Sequence, residues 1–148
     1  MDTTHLLITD LEVDTALADL TVPLAVRAVW QLLWESEVRM GEVLECDVPH
    51  AELENQLIVT QCSKGGDFYE TGITAAASGV LRELIGPRTE GPLFTVDGHR
   101  LTRDKVTTAF REATGGRSVH ALRFTRKLKE RETALRSAAA GQAEERSA

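Results

Sequence analysis

From Val22 onward, apolar positions recur at helical spacing: Leu24, Ala28, Leu32 and Leu33 fall on one face, with Pro23 near the start, where a helix tolerates proline. The polar run Glu35-Ser36-Glu37 separates this helix from a second, which begins near Val38 and continues to Glu45. The period then changes. Leu57 to Cys62 is apolar and β-branched, Lys64-Gly65-Gly66 is a turn signal, and Phe68 to Ile73 returns as a second strand. The pattern predicts a hairpin with a lysine at its tip. Thr74 is placed to cap the helix that follows, and Gly86 to end it. Residues 91–100 form a turn-rich connector. Thr102 caps a further helix that stops at Gly115-Gly116, and Ser118 caps a last one from about Val119.

These elements predict a mixed α+β domain, mostly helical, with a small antiparallel sheet or hairpin. Its expected limits are residues 21–136. Residues 1–20 form an acidic lead-in, in which Leu6 to Ile8 and Leu11 to Leu20 suit a strand or a helix equally. Residues 137–148 lack apolar periodicity and form a flexible tail. The chain of 148 residues suits one domain with a real core.

Charge complicates the picture. The formal net charge is −6, which argues against nucleic acid as a partner. Its distribution argues the other way. Residues 1–20 hold five acids (Asp2, Asp10, Glu12, Asp14, Asp19) and no Lys or Arg. Residues 117–148 hold eight bases against four acids. Local patches, not totals, meet phosphates. No apolar run is long enough to span a bilayer, and the start has neither a basic region nor a long apolar core. The expectation is a cytoplasmic protein with no membrane partner. Cys46 and Cys62 form no CxxC pair and read as thiols in a reducing compartment. His5, His50 and His99 have no partners at ligand spacing, so no metal site and no cofactor is expected. Trp30 and Trp34, four apart on one helix, read as packing residues.

Three short elements carry chemistry. Arg39 and Glu42 stand in an R-x-x-E pattern at a helix start, Lys64 at a hairpin tip, and His120 and Arg123 in an H-x-L-R motif. In this order they resemble the catalytic domain of tyrosine recombinases, the phage integrase family. The segments RMGEVLECDVPHAELE and EGPLFTVDGHRLTRDKV are similar to the family's connecting text, so the resemblance covers roughly residues 22 to 125. Such enzymes cut DNA by phosphoryl transfer to a tyrosine without a metal, so charge on the scissile phosphate must be met by side chains. The resemblance implies that Arg39 and Arg123 clamp the phosphate bidentately. It implies that Lys64 donates a proton to the leaving oxygen, that His120 is an acid–base or hydrogen-bonding partner, and that Glu42 orients Arg39. Each has a plainer reading: an i,i+3 surface ion pair, a solvated turn lysine, a capped helix start. Arg126, Lys127, Lys129, Arg131 and Arg136 follow as either a solvated helix face or a stripe on the DNA backbone, and Arg126 and Lys127 are added to Arg39, Lys64 and Arg123 as DNA-binding candidates.

The sequence departs from the family where cleavage is concerned. Phe124 takes the place of a histidine, no L-G-H motif follows, and no tyrosine occurs after Arg123. The one tyrosine, Tyr69, reads as a sheet residue on the strand after Lys64. After the Gly pair, Asp67-Phe68-Tyr69 replaces a basic–acidic–basic pattern. The first 20 residues leave no room for the family's separate DNA-clamping domain. Two functions are therefore expected. The first is a recombinase-like protein linked to DNA recombination or integration, of mobile-element type, that binds duplex DNA by its phosphate backbone and is deficient in cleavage. The second is a non-catalytic module that pairs with or inhibits an intact recombinase, or self-associates, with the acidic residues 1–20 covering the DNA-facing groove.

Overall fold

A computed structural model describes residues 7–61 and 65–147. In chain order it contains α1 (Asp10–Leu17), α2 (Leu24–Glu35), α3 (Met40–Leu44), β1 (Ala51–Glu52), β2 (Leu57–Gln61), β3 (Phe68–Gly72), α4 (Ala75–Ile85), β4 (Thr95–Val96), β5 (His99–Arg100), α5 (Arg103–Ala113) and α6 (His120–Ser147). The expected α+β class with dominant helices is what the chain adopts.

Helix α2 is the centre. Its sequence is apolar except for the stripe Arg27, Gln31 and Glu35, and so wide an apolar face must be covered from several sides. Ala25, Val26, Ala28, Val29, Trp30, Leu32 and Leu33 are all buried, and no residue of the helix is exposed. Helices α1, α3, α4, α5 and α6 pack around it. The Trp30 indole meets the Phe110 ring edge-on at a centroid distance of 5.1 Å and donates from Nε1 to the Val106 carbonyl at 3.2 Å. That contact fixes α5 against α2. Ser36 ends the helix: its backbone N–H and its hydroxyl both donate to the Leu32 carbonyl.

The sheet lies at one side of this helical body. β1, β2 and β3 are antiparallel in that order, with Ala51 opposite Ile58 and Gln61 opposite Phe68. Along β2 the inward positions Ile58 and Thr60 are buried, while β3 turns Phe68, Tyr69 and Glu70 to solvent. Single turns of 3₁₀ helix at Val48–His50 and Leu53–Asn55 flank β1. A second, two-stranded sheet joins β4 to β5 through Asp97-Gly98, both at positive φ, the conformation a tight two-residue hairpin requires.

The predicted caps form. Thr74 accepts from the Ala77 N–H and Thr102 from the Lys105 N–H, and Gly86 ends α4 at φ 55°. Three differences stand out. The second helix is only five residues long. The described part of the acidic lead-in is no separate segment: Thr9 and Glu12 form a capping box at α1, and Ile8, Val13 and Ala16 join the core. Residues 137–147, expected as a tail, continue α6 as helix. Trp30→Ala removes the largest fully buried side chain and leaves a cavity between α2 and α5. We expect a loss of about 3–5 kcal/mol in urea denaturation.

Candidate phosphate-binding site

Arg39 stands immediately before α3, in extended conformation, with its carbonyl accepting from the Val43 N–H. A helix of five residues does not hold itself. Two contacts hold this one. Arg100, on β5, donates to the carbonyls of Leu44 and Cys46 and pairs with Asp47 at 2.6 Å, gripping the helix at its C-terminal end. The Cys46 thiol donates to the Val59 carbonyl on β2 at 3.3 Å. Arg39 itself is largely exposed, with Nε 3.8 Å from Glu42 Oε1. That is an ion pair too long for a hydrogen bond, so the donors of Arg39 are not consumed by it.

His120 and Arg123 reach the same region from α6. Gly115 and Gly116, both at positive φ, turn the chain out of α5, and the Thr114 hydroxyl accepts from the Arg117 N–H. Val119 is buried as an anchor, His120 opens α6 on the exposed side, and half-buried Arg123 follows one turn later. The structure brings Arg39, His120 and Arg123 to one cleft of about 250 Å³, whose walls also include Leu33, Met40, Gly41, Val119 and Arg103. Three arginines and a histidine face it, and no carboxylate does. They stand at the starts of α3, α5 and α6, where backbone N–H groups add partial positive charge.

A larger cleft of about 730 Å³ adjoins the first and shares Arg39, Gly41 and Arg103 with it. Here Glu42 and Glu45 balance the arginines, and Gln61 and Phe68, opposite each other where β2 ends and β3 begins, form part of the wall. The predicted Lys64 lies outside the described residues, as do His5 and Cys62. Glu42 is placed beside Arg39 as expected. Tyr69 is a half-exposed residue of β3, as read, and lines neither cleft.

Arg126 is a correction. Expected among the DNA-contacting bases, it is buried against Glu37 and Glu130, pairing with Glu37 at 2.8 Å. Its Nε and Nη2 are buried without partners. Lys127 is exposed as a backbone contact requires, as are Arg131 and Arg136, whereas Lys129 pairs with Asp10 over the Trp34 ring. The acidic stretch does not cover the groove in its described part. Glu12 pairs with Arg117, Asp10 with Lys129, and none of residues 7–20 lines either of the two clefts.

Sequence reasoning missed Arg103. The available signal was positional: it directly follows the cap Thr102 and so opens a helix.

The fold is that of the tyrosine recombinases and integrases. The chain superposes on the XerA recombinase crystal structure with a TM-score of 0.68 at 15% identity, over 81% of this chain and 47% of that one. It superposes on the integrase from mycobacterium phage Brujita with a TM-score of 0.63 at 21% identity, over 80% of this chain and 42% of that one. It therefore spans less than half the length of either protein. No protein-family model and no curated protein matches the sequence.

Three expectations follow from the side chains around the site. Burial pushes the Cys46 thiol up to about 12, with Asp47 adding to the effect. The thiol thus stays neutral at pH 8. In a Cys62→Ser background, native protein should react with a disulfide reagent far more slowly than unfolded protein. The hydrogen bond from Arg126 holds the Glu37 carboxyl below its ordinary range. Its contribution is present above the unfolded value, near 4.5, and is lost as pH falls through the lower folded value. Melting temperature followed through mildly acid pH should therefore drop more steeply in the wild type than in Glu37→Gln. Removing both carboxylates, in Glu37→Ala/Glu130→Ala, should cost about 3 kcal/mol or more by leaving the Arg126 charge buried alone.

Proposed function

We propose that this chain is a recombinase-like DNA-binding protein, linked to DNA recombination or integration, that grips the phosphate backbone of duplex DNA at the smaller cleft. The observation that carries this reading is the composition of that cleft: Arg39, Arg103, Arg123 and His120 with no opposing carboxylate, in a protein of net charge −6. A cleft lined by three arginines and a histidine and, among the described residues, by no carboxylate has a local field suited to an anion, even with Glu42 3.8 Å from Arg39 in the adjoining cleft. The fold adds to this, since both similar structures are by name a recombinase and an integrase.

In this reading Arg39 and Arg123 hold phosphate oxygens from two sides, and a guanidinium stays charged at any working pH. Glu42 orients Arg39, and His120 donates a hydrogen bond or exchanges a proton with a phosphate-bound oxygen. Lys64, between β2 and β3 in the sequence, adds a further cation, and its expected role as proton donor to a leaving oxygen has no use in a chain that holds the ester without breaking it. Lys127, Arg131 and Arg136 extend the contact along the backbone. The 148 residues supply no tyrosine after Arg123, so they bind without forming a phosphotyrosine bond by themselves. Holding a phosphate and breaking its ester use partly different groups. The duplex is favoured over an intact recombinase or a second copy as partner because the smaller cleft is lined by cations and none of residues 7–20 lines it. Among the described residues no helix is long and apolar enough to cross a membrane.

Fluorescence anisotropy of a labelled random duplex tests this. We expect a Kd of ~10⁻⁴–10⁻⁶ M at physiological salt, weakening as salt rises and weaker still in Arg39→Ala/Arg123→Ala. Absence of binding even at low salt would remove duplex DNA as the partner and direct the search to a protein. A protein–DNA adduct that survives denaturant and vanishes in Tyr69→Phe would overturn the non-cleaving part.

A further inference from the structure

We propose that Arg103 is a third phosphate-binding side chain of the site, and that Gly41 is the residue that lets it take its place there. The inference rests on the DNA-binding reading above and extends it to a residue outside the sequence motifs.

Arg103 opens α5 directly after its cap, but its side chain does not simply extend into water. A Cβ built on Gly41 would lie 2.7 Å from the Arg103 Nη2, closer than real contacts allow. The guanidinium therefore rests against the first turn of α3, two residues from Arg39. With Arg39 and Gly41 it is common to both clefts, so it stands on the divide between them.

Without a side-chain partner among the described residues, it resembles Arg82, Arg111 and Arg123, but of these only Arg103 and Arg123 line the smaller cleft. Arg27 and Arg88 donate to carbonyls, and Arg100, Arg117 and Arg126 pair with carboxylates. Arg103 makes no hydrogen bond or ion pair among the described residues, although it is placed beside another cation. Arg39 and Arg103 line the same two clefts, with Glu42 and Glu45 on the wall of the larger one only, so on the side of the smaller cleft two like charges, which repel, share one lining. An anion between them reverses the sign of that interaction. A guanidinium also presents a rigid fork of donors that matches phosphate oxygens. The ligand class is accordingly a phosphodiester of the DNA backbone, gripped by Arg103 from the α5 side.

Gly41 makes the proposal separable from the rest of the site. It lies inside α3 and has no positive φ, so alanine is compatible with its backbone and favours the helix. The added methyl meets the tip of one flexible side chain. Gly41→Ala should therefore fold normally and act on binding only by displacing Arg103.

The experiment is anisotropy with a labelled random duplex over a salt series, on full-length wild type, Arg103→Ala, Gly41→Ala, their double variant and Arg39→Ala/Arg123→Ala, with melting temperatures alongside. We expect Arg103→Ala to weaken binding roughly ten-fold, the loss of one charge-assisted contact. The slope of log affinity against log salt should shrink by about 0.9, one phosphate contact. Gly41→Ala should lose a similar factor while melting no lower than wild type, and the double variant should be no worse than Arg103→Ala. If Arg103→Ala binds like wild type while Arg39→Ala/Arg123→Ala does not, the role of Arg103 is overturned and the DNA-binding reading stands. If Gly41→Ala binds like wild type while Arg103→Ala is weakened, the steric role of Gly41 is overturned. Losses that add in the double variant overturn it too. If the wild type does not bind duplex, both readings fall.

Discussion

Everything in this fold depends on the burial of α2. Its apolar face is broken only by the half-buried stripe Arg27, Gln31 and Glu35, and five other helices are recruited to cover it. That requirement sets where α3, α5 and α6 begin. Trp30 draws α5 in through Phe110 and the Val106 carbonyl, and Leu33 forms the floor of the smaller cleft beneath their starts. The cationic site is thus a by-product of core geometry: three helices wrap one central helix and present their first residues at the same place.

The site is held by groups that do not face it. Arg100 holds α3 from behind, and the buried pair of Arg126 and Glu37 ties α6 to the segment just before Arg39. Removing an arginine's charge from water is costly, and Arg126 still leaves two donors unsatisfied. Such a group is poor as a source of stability. Its effect here is positional, since Glu37 is two residues from Arg39 and Arg126 three from Arg123.

Charge is divided along the same lines. Of the acids near the N-terminus, Glu12 pairs with Arg117 and Asp10 with Lys129, and none of residues 7–20 lines either of the two clefts. The remaining α6 cations Lys127, Arg131 and Arg136 stay exposed. A net negative chain can in this way keep a positive face, because a screened field is felt within a Debye length, not across the molecule.

Local chemistry was legible in the chain. Thr74 and Thr102 cap their helices and Gly115-Gly116 breaks the path between α5 and α6, because each effect acts between residues a few positions apart, while the hairpin at Asp97-Gly98 read only as part of a turn-rich connector. The motif residues Arg39, Glu42, His120 and Arg123 were legible as well, through type and order. Side-chain direction was not. Arg103 and Arg126 look alike as arginines among polar neighbours, yet one lies across Gly41 at the cleft and the other is buried between two glutamates. The acidic lead-in likewise read as a detached segment, and Ile8, Val13 and Ala16 place its described part in the core. Sequence alone determined the starts of α4 and α5 and where they stop, whereas α1, the short α3 and the length of α6 were not legible. Only tertiary packing decided which cations face the cleft, because that depends on what lies across the fold from each, tens of residues away along the chain.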